Sequence, residues 1–126
     1  MDFNRYAPVV LRGALVVLFL WFGLSQITNP GGWVSWIPTW ALSIGLSGQT
    51  IVLLNGSFET ILGIAIAVGF LTRWAALFLA LHLLFIAYEI GYNDIGVRDF
   101  ALALCTFALA LSHPDEFTLD GRREAV

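Results

Sequence analysis

Four apolar stretches, each about 17–22 residues long, occupy most of this 126-residue chain. They run from about 8–27, 50–71, 74–90 and 95–112. A helix of about 20 apolar residues crosses a hydrocarbon core of about 30 Å. A backbone in lipid must satisfy its own hydrogen bonds, and a helix does so within one segment. The sequence therefore predicts an all-α fold, a four-transmembrane-helix antiparallel bundle. It forms a single membrane domain over residues 1–126, with a short tail at 113–126. The chain is 59% hydrophobic and 12% charged, where a soluble domain carries about 25% charged residues. So much apolar surface does not fit in one small water-soluble core, so the bilayer is the first partner implied. The first stretch reads as a span and not a cleavable signal, being too long and lacking a small-residue cleavage site.

Arginine placement predicts orientation. The chain has no lysine, and its six cations are all arginine. With four spans, Arg5, Arg12, Arg73, Arg122 and Arg123 share a side, and Arg98 stands on the other. Basic residues mark the cytoplasmic side, so both termini are expected in the cytoplasm, with the protein multi-pass in the plasma membrane. The net charge of −3 argues against a nucleic-acid partner.

The connection between the first two spans is unusual. After the turn cluster Asn29-Pro-Gly-Gly32 come Trp33, Trp36, Ile37, Trp40, Ala41 and Ile44, at the spacing of an apolar helical stripe. Pro38 suits the first turn of a helix over about 38–46. The expectation is a Trp-rich helix in the outer interface, where aromatic belts form. Trp33, Trp36 and Trp40 then anchor the loop or form a lid over a cavity.

Glu59 is the outstanding polar residue, about halfway along the second span. A carboxylate at the bilayer centre costs about 3 kcal/mol and needs a partner, a proton or a task. Gly56 and Gly63 share its helix face, and small residues mark close approach between membrane helices. Glu59 therefore points into the bundle, either as an interhelical clamp or as a proton, ion or ligand site. At about 1.5 Å per residue, His82 and Cys105 fall near the same depth. Glu59 and His82 would make a proton-exchanging pair, and Glu89 shares the face of His82 nearer the outer end. Cys105, the lone cysteine, reads as a small core residue and excludes an intrachain disulfide.

Arg12, about one turn inside the first span, either snorkels to the interface or pairs with Glu59. Asp99 is expected near the N-cap of the fourth span, with Arg98 pairing to Glu89 or Asp94 across the turn. His82 and His113 lie about 12 Å apart along the axis, so they cannot jointly ligate a haem. No metal site, P-loop, dinucleotide fingerprint or other complete catalytic motif is present, and no catalytic residue is assigned.

Several of these residues fall into recurring motifs. Arg12-Gly13 with Phe19-Leu-Trp-Phe-Gly23, then Asn55-Gly56-x-x-Glu59-x-x-x-Gly63, then Gly69-Phe-Leu-Thr-Arg73-x-Ala-Ala76, and finally Val97-Arg98-Asp99 resemble DoxX-like membrane proteins. The resemblance covers about residues 8–112. It implies a four-helix membrane bundle and a link to quinone-dependent redox assemblies. With a single cysteine and no haem-ligand pair, electron transfer would require a quinone or partner redox subunits. Three functions follow as expectations. The first is an accessory subunit of a quinone-linked assembly. The second is a homo-oligomer that binds or transports a small molecule or lipid. The third is a structural, self-associating bundle.

Overall fold

A computed structural model describes residues 3–124, and every regular element among them is helical. After a 3-10 turn at Phe3–Arg5, helix α1 spans Ala7–Thr28. A 3-10 segment, Pro30–Trp36, leads to the short α2, Thr39–Leu42. Then come α3 (Gly48–Val68), α4 (Thr72–Ile90), α5 (Asp94–Leu111) and α6 (Leu119–Glu124). Among the described residues, three segments are long and apolar enough to cross a membrane: Phe3–Thr28, α3 and α4. Helix α5 is 18 residues long and carries Asp94, Arg98 and Asp99 near its start.

Local chemistry explains the ends of the long helices. Pro8 opens α1, where its missing N–H costs nothing. Ser47 caps α3 by accepting from the Thr50 N–H. Gly69, at φ 74°, closes α3 in the left-handed conformation that glycine adopts without a Cβ penalty. That cap stops the helix three residues before the Leu71 boundary read from hydropathy. Asn93 caps α5 through a 2.9 Å bond from the Gly96 N–H.

The long helices pack in two pairs, α1 with α3 and α4 with α5; contacts of α3 with α4 and of α1 with α5 close the bundle. Leu15, Phe19, Ile66, Leu79, Leu83 and Leu109 form its centre, with Ala75, Ala76, Ala103 and Ala110 filling the narrow gaps. The exterior is as apolar as the interior. Val17 is 69% exposed, Ile61 65% and Trp21 61%. A continuous apolar exterior of this kind is unfavourable in water and is matched by lipid.

Two expectations are corrected here. The Trp-rich loop is not one helix over 38–46. Trp33 and Trp36 lie in the 3-10 segment, Ile37 and Pro38 are extended, and α2 covers four residues. Proline disfavours helical geometry at the residue before it, so the stripe breaks at Ile37. Cys105 is exposed, whereas Ala103 and Thr106 face inward. In lipid the bulky apolar side chains can face out, and small ones fill the helix contact.

Candidate functional site

The α1–α3 pairing creates the site. At Gly23 and Gly56 the two backbones approach so closely that neither position has room for a methyl group. A Cβ on Gly56 would lie 2.8 Å from both the Gly23 carbonyl oxygen and Gln26 Cβ. This approach brings Gln26 of α1 against Asn55 and Glu59, which sit four residues apart on one face of α3.

Glu59 is 5% exposed. Gln26 Nε2 donates to Glu59 Oε2 at 3.1 Å, and Asn55 Nδ2 donates to Oε1 at 3.2 Å. Asn55 Nδ2 also donates to Gln26 Oε1 at 2.6 Å. The second hydrogen of Gln26 Nε2 goes to the Phe22 carbonyl, 3.1 Å away. Both carboxylate oxygens are therefore held by side-chain amides, and the amides hold each other.

His82 approaches from α4. Its Nε2 lies 3.3 Å from Glu59 Oε1, yet its orientation makes no hydrogen bond and the atom is buried without a partner. At this distance the two groups can bond in either sense. Nε2 donates when protonated and accepts when it is not. The His82 side chain is 22% exposed and tilts against the Phe58 ring at 4.9 Å. Glu59 is thus sealed inside, whereas His82 reaches the bundle surface.

The other sequence candidates separate into distinct places. Asp99 is buried, lies within electrostatic reach of Glu59, and bonds Arg98 at 3.5 Å. It is not the cap of α5, a role that Asn93 takes because its side chain meets the Gly96 N–H. Arg98 therefore pairs with its neighbour and not with Glu89 or Asp94; Glu89 is exposed. Trp33 packs edge-on against Phe22, and Trp40 against Phe85. Trp36 is exposed.

Arg12 does not reach Glu59. Its Nε bonds Asp115 Oδ2 at 2.8 Å, and its Nη1 donates to the Ile66 and Ala67 carbonyls at 3.1 and 2.8 Å. The long stem carries the guanidinium toward the closer carboxylate of the tail.

Sequence reasoning missed Gln26 and Asn55 as ligands of Glu59. The signal was an amide one turn beyond Gly23 and another one turn before Glu59. It also missed the tail as a structural element. Asp120 accepts from the Leu71 and Thr72 N–H groups at 3.1 and 2.8 Å, and its own N–H donates to the Gly69 carbonyl at 2.9 Å. Residues 115–121 are thereby latched onto the α3–α4 turn. No group of three or more potential metal ligands occurs among the described residues.

A helical exterior of apolar side chains around a sealed carboxylate, with amides and an imidazole gathered on it, defines an integral membrane protein with a polar centre. The sequence matches the DoxX family over residues 7–91, and the chain belongs to that family. No curated protein and no solved structure matches it.

Proposed function

We propose that this chain is a four-span accessory subunit of a quinone-linked redox assembly in the plasma membrane, with both termini cytoplasmic. In this reading α5 is the fourth span, its charged first turns at the outer rim and Asp99 turned inward. The observation that carries the proposal is the approach of a sealed carboxylate, Glu59, to a histidine that reaches the lipid-facing surface, 3.3 Å away. A buried carboxylate on its own serves as a clamp. Coupled to an imidazole at the surface, it has a route by which a proton leaves or arrives.

The donor set suits a quinone. His82 Nε2 faces Glu59 from inside the bundle, while the rest of the ring is partly exposed beside Phe58, so a quinone would meet the ring from its other side. A bound quinone supplies two-electron redox chemistry that takes up protons on reduction. In this scheme Phe58 would pack against the quinone ring, His82 would hydrogen-bond a ring oxygen, and Glu59 would hold a proton exchanged through His82 Nε2. Gln26 and Asn55 hold the carboxylate in place.

Gentle purification followed by mass spectrometry tests this reading. Wild-type protein should carry quinone and partner oxidoreductase subunits. His82→Gln should lose quinone while keeping the partners. Recovery of wild-type protein with neither quinone nor partners would overturn the proposal in favour of a self-associating bundle.

A further inference from the structure

A cavity of about 300 Å³ opens where the tail docks. Pro8 at the start of α1, Thr72 at the start of α4 and Ser112 after the end of α5 all line it. Three helix ends meeting there put the cavity at the boundary between hydrocarbon and water.

Its charges divide into committed and uncommitted groups. Asp115 is taken by Arg12 and by the Phe117 N–H at 3.0 Å. Asp120 is taken by the N–H groups of Leu71 and Thr72. Arg12 is spent on Asp115 and two carbonyls. Arg73 and His113 are exposed and line the same cavity, with no acidic partner within ion-pair distance among the described residues. Arg123 lies over the Phe70 ring, 5.9 Å from its centroid, within electrostatic reach of Asp120. Donors therefore converge on a space whose own carboxylates are already bonded. Leu71, Trp74 and Leu109 supply the apolar part of the lining, with Leu71 and Trp74 half exposed at the bundle surface.

We propose that this cavity binds a phosphate oxyanion, supplied by the headgroup of an anionic phospholipid or by free phosphate. Arg73 provides the principal charge-assisted contact, with Arg123 and His113 at the rim. Guanidinium groups match phosphate oxygens in pairs, and basic pockets between membrane helices near the interface suit lipid phosphates. The apolar lining beside Trp74 provides a surface for the first carbons of an acyl chain, which free phosphate lacks.

Thermal unfolding of the full chain in neutral detergent tests the proposal. Phosphatidylglycerol should raise the melting temperature and phosphatidylcholine at the same concentration should not. Inorganic phosphate, compared with chloride at matched ionic strength, forms the second arm. A shift with phosphatidylglycerol alone identifies the lipid as the source; an equal shift with inorganic phosphate identifies a free-phosphate site. Arg73→Gln should weaken binding about tenfold, the loss of one charge-assisted contact, while leaving the unliganded melting temperature unchanged because the residue is exposed. Arg73→Lys should recover part of the affinity. Equal effects of the two lipids with no response to phosphate, or full phosphatidylglycerol binding by Arg73→Gln, would overturn the proposal.

Discussion

Adding one methyl group at Gly56 should destabilise the bundle, whereas the same change at Gly13 should not. An alanine Cβ at Gly56 would lie 2.8 Å from the Gly23 carbonyl oxygen, 2.8 Å from Gln26 Cβ and 3.3 Å from Ile27 Cγ1. Carbon contacts are comfortable near about 3.5 Å, so α1 and α3 must part by roughly half an ångström. The obstructing oxygen belongs to a helix backbone and has no rotamer by which to move aside. Overpacking of this kind costs about 1–3 kcal/mol. Alanine also gains about 0.5–1 kcal/mol over glycine inside a helix. Gly13 has nothing within 4 Å of its would-be Cβ, so Gly13→Ala receives that gain without the clash. Because the gain is common to both variants, the difference between them isolates the clash. The expected separation is about 1–3 kcal/mol, with Gly56→Ala the weaker. Equilibrium unfolding in mixed micelles, followed by circular dichroism, measures it. Finding Gly56→Ala as stable as Gly13→Ala would refute the close crossing of α1 and α3, and with it the placement of Gln26 against Glu59.

Arg12→Gln strips Asp115 of its charge partner, whose side chain is only 3% exposed. It should cost about 3 kcal/mol and expose the tail to limited proteolysis. Asp120 lies outside the spans. Burial raises its pKa, but the Thr72 and Leu71 N–H groups and Arg123 outweigh that and hold it below the ordinary carboxylate value. Its contribution is therefore complete above the unfolded value of about 3.9 and is lost as pH falls through the lower folded one. Hydrogen-exchange protection at Leu71 and Thr72 should persist to about pH 4 and decline below it, and Asp120→Asn should abolish that acid step. Cys105 faces outward, and in hydrocarbon it stays an unreactive thiol, so a maleimide should spare it in intact membranes and label it once the protein is unfolded in detergent.

The membrane class was legible because apolar length is a one-dimensional property, and Glu59, Gly56 and Gly63 announced their shared face by spacing alone. What hydropathy does not encode is which apolar residues face inward. In lipid both faces are apolar, and tight contact admits small residues, so Ala103, Thr106 and Ala110 are buried beside Leu109 while Leu104, Phe107 and Leu111 face out. Cys105 was misjudged for that reason. The partner of Arg12 was not legible, because Asp115 lies 103 positions away in a polar tail that looks solvated. Asp99 has the composition of a capping residue, and only three-dimensional packing distinguishes it from Asn93. The Trp stripe obeyed helical periodicity on both sides of a proline that the backbone does not follow through.

The pairing of Glu59 with His82 is the centre of the account, and a double-mutant cycle tests it directly. Stabilities of wild type, Glu59→Gln, His82→Gln and the double variant would be measured in the same micelles. The 3.3 Å approach predicts a coupling energy of about 0.5–3 kcal/mol, the range for groups in contact. Additivity of the two substitutions to within about 0.5 kcal/mol would contradict it and leave Glu59 as a clamp held by Gln26 and Asn55 alone.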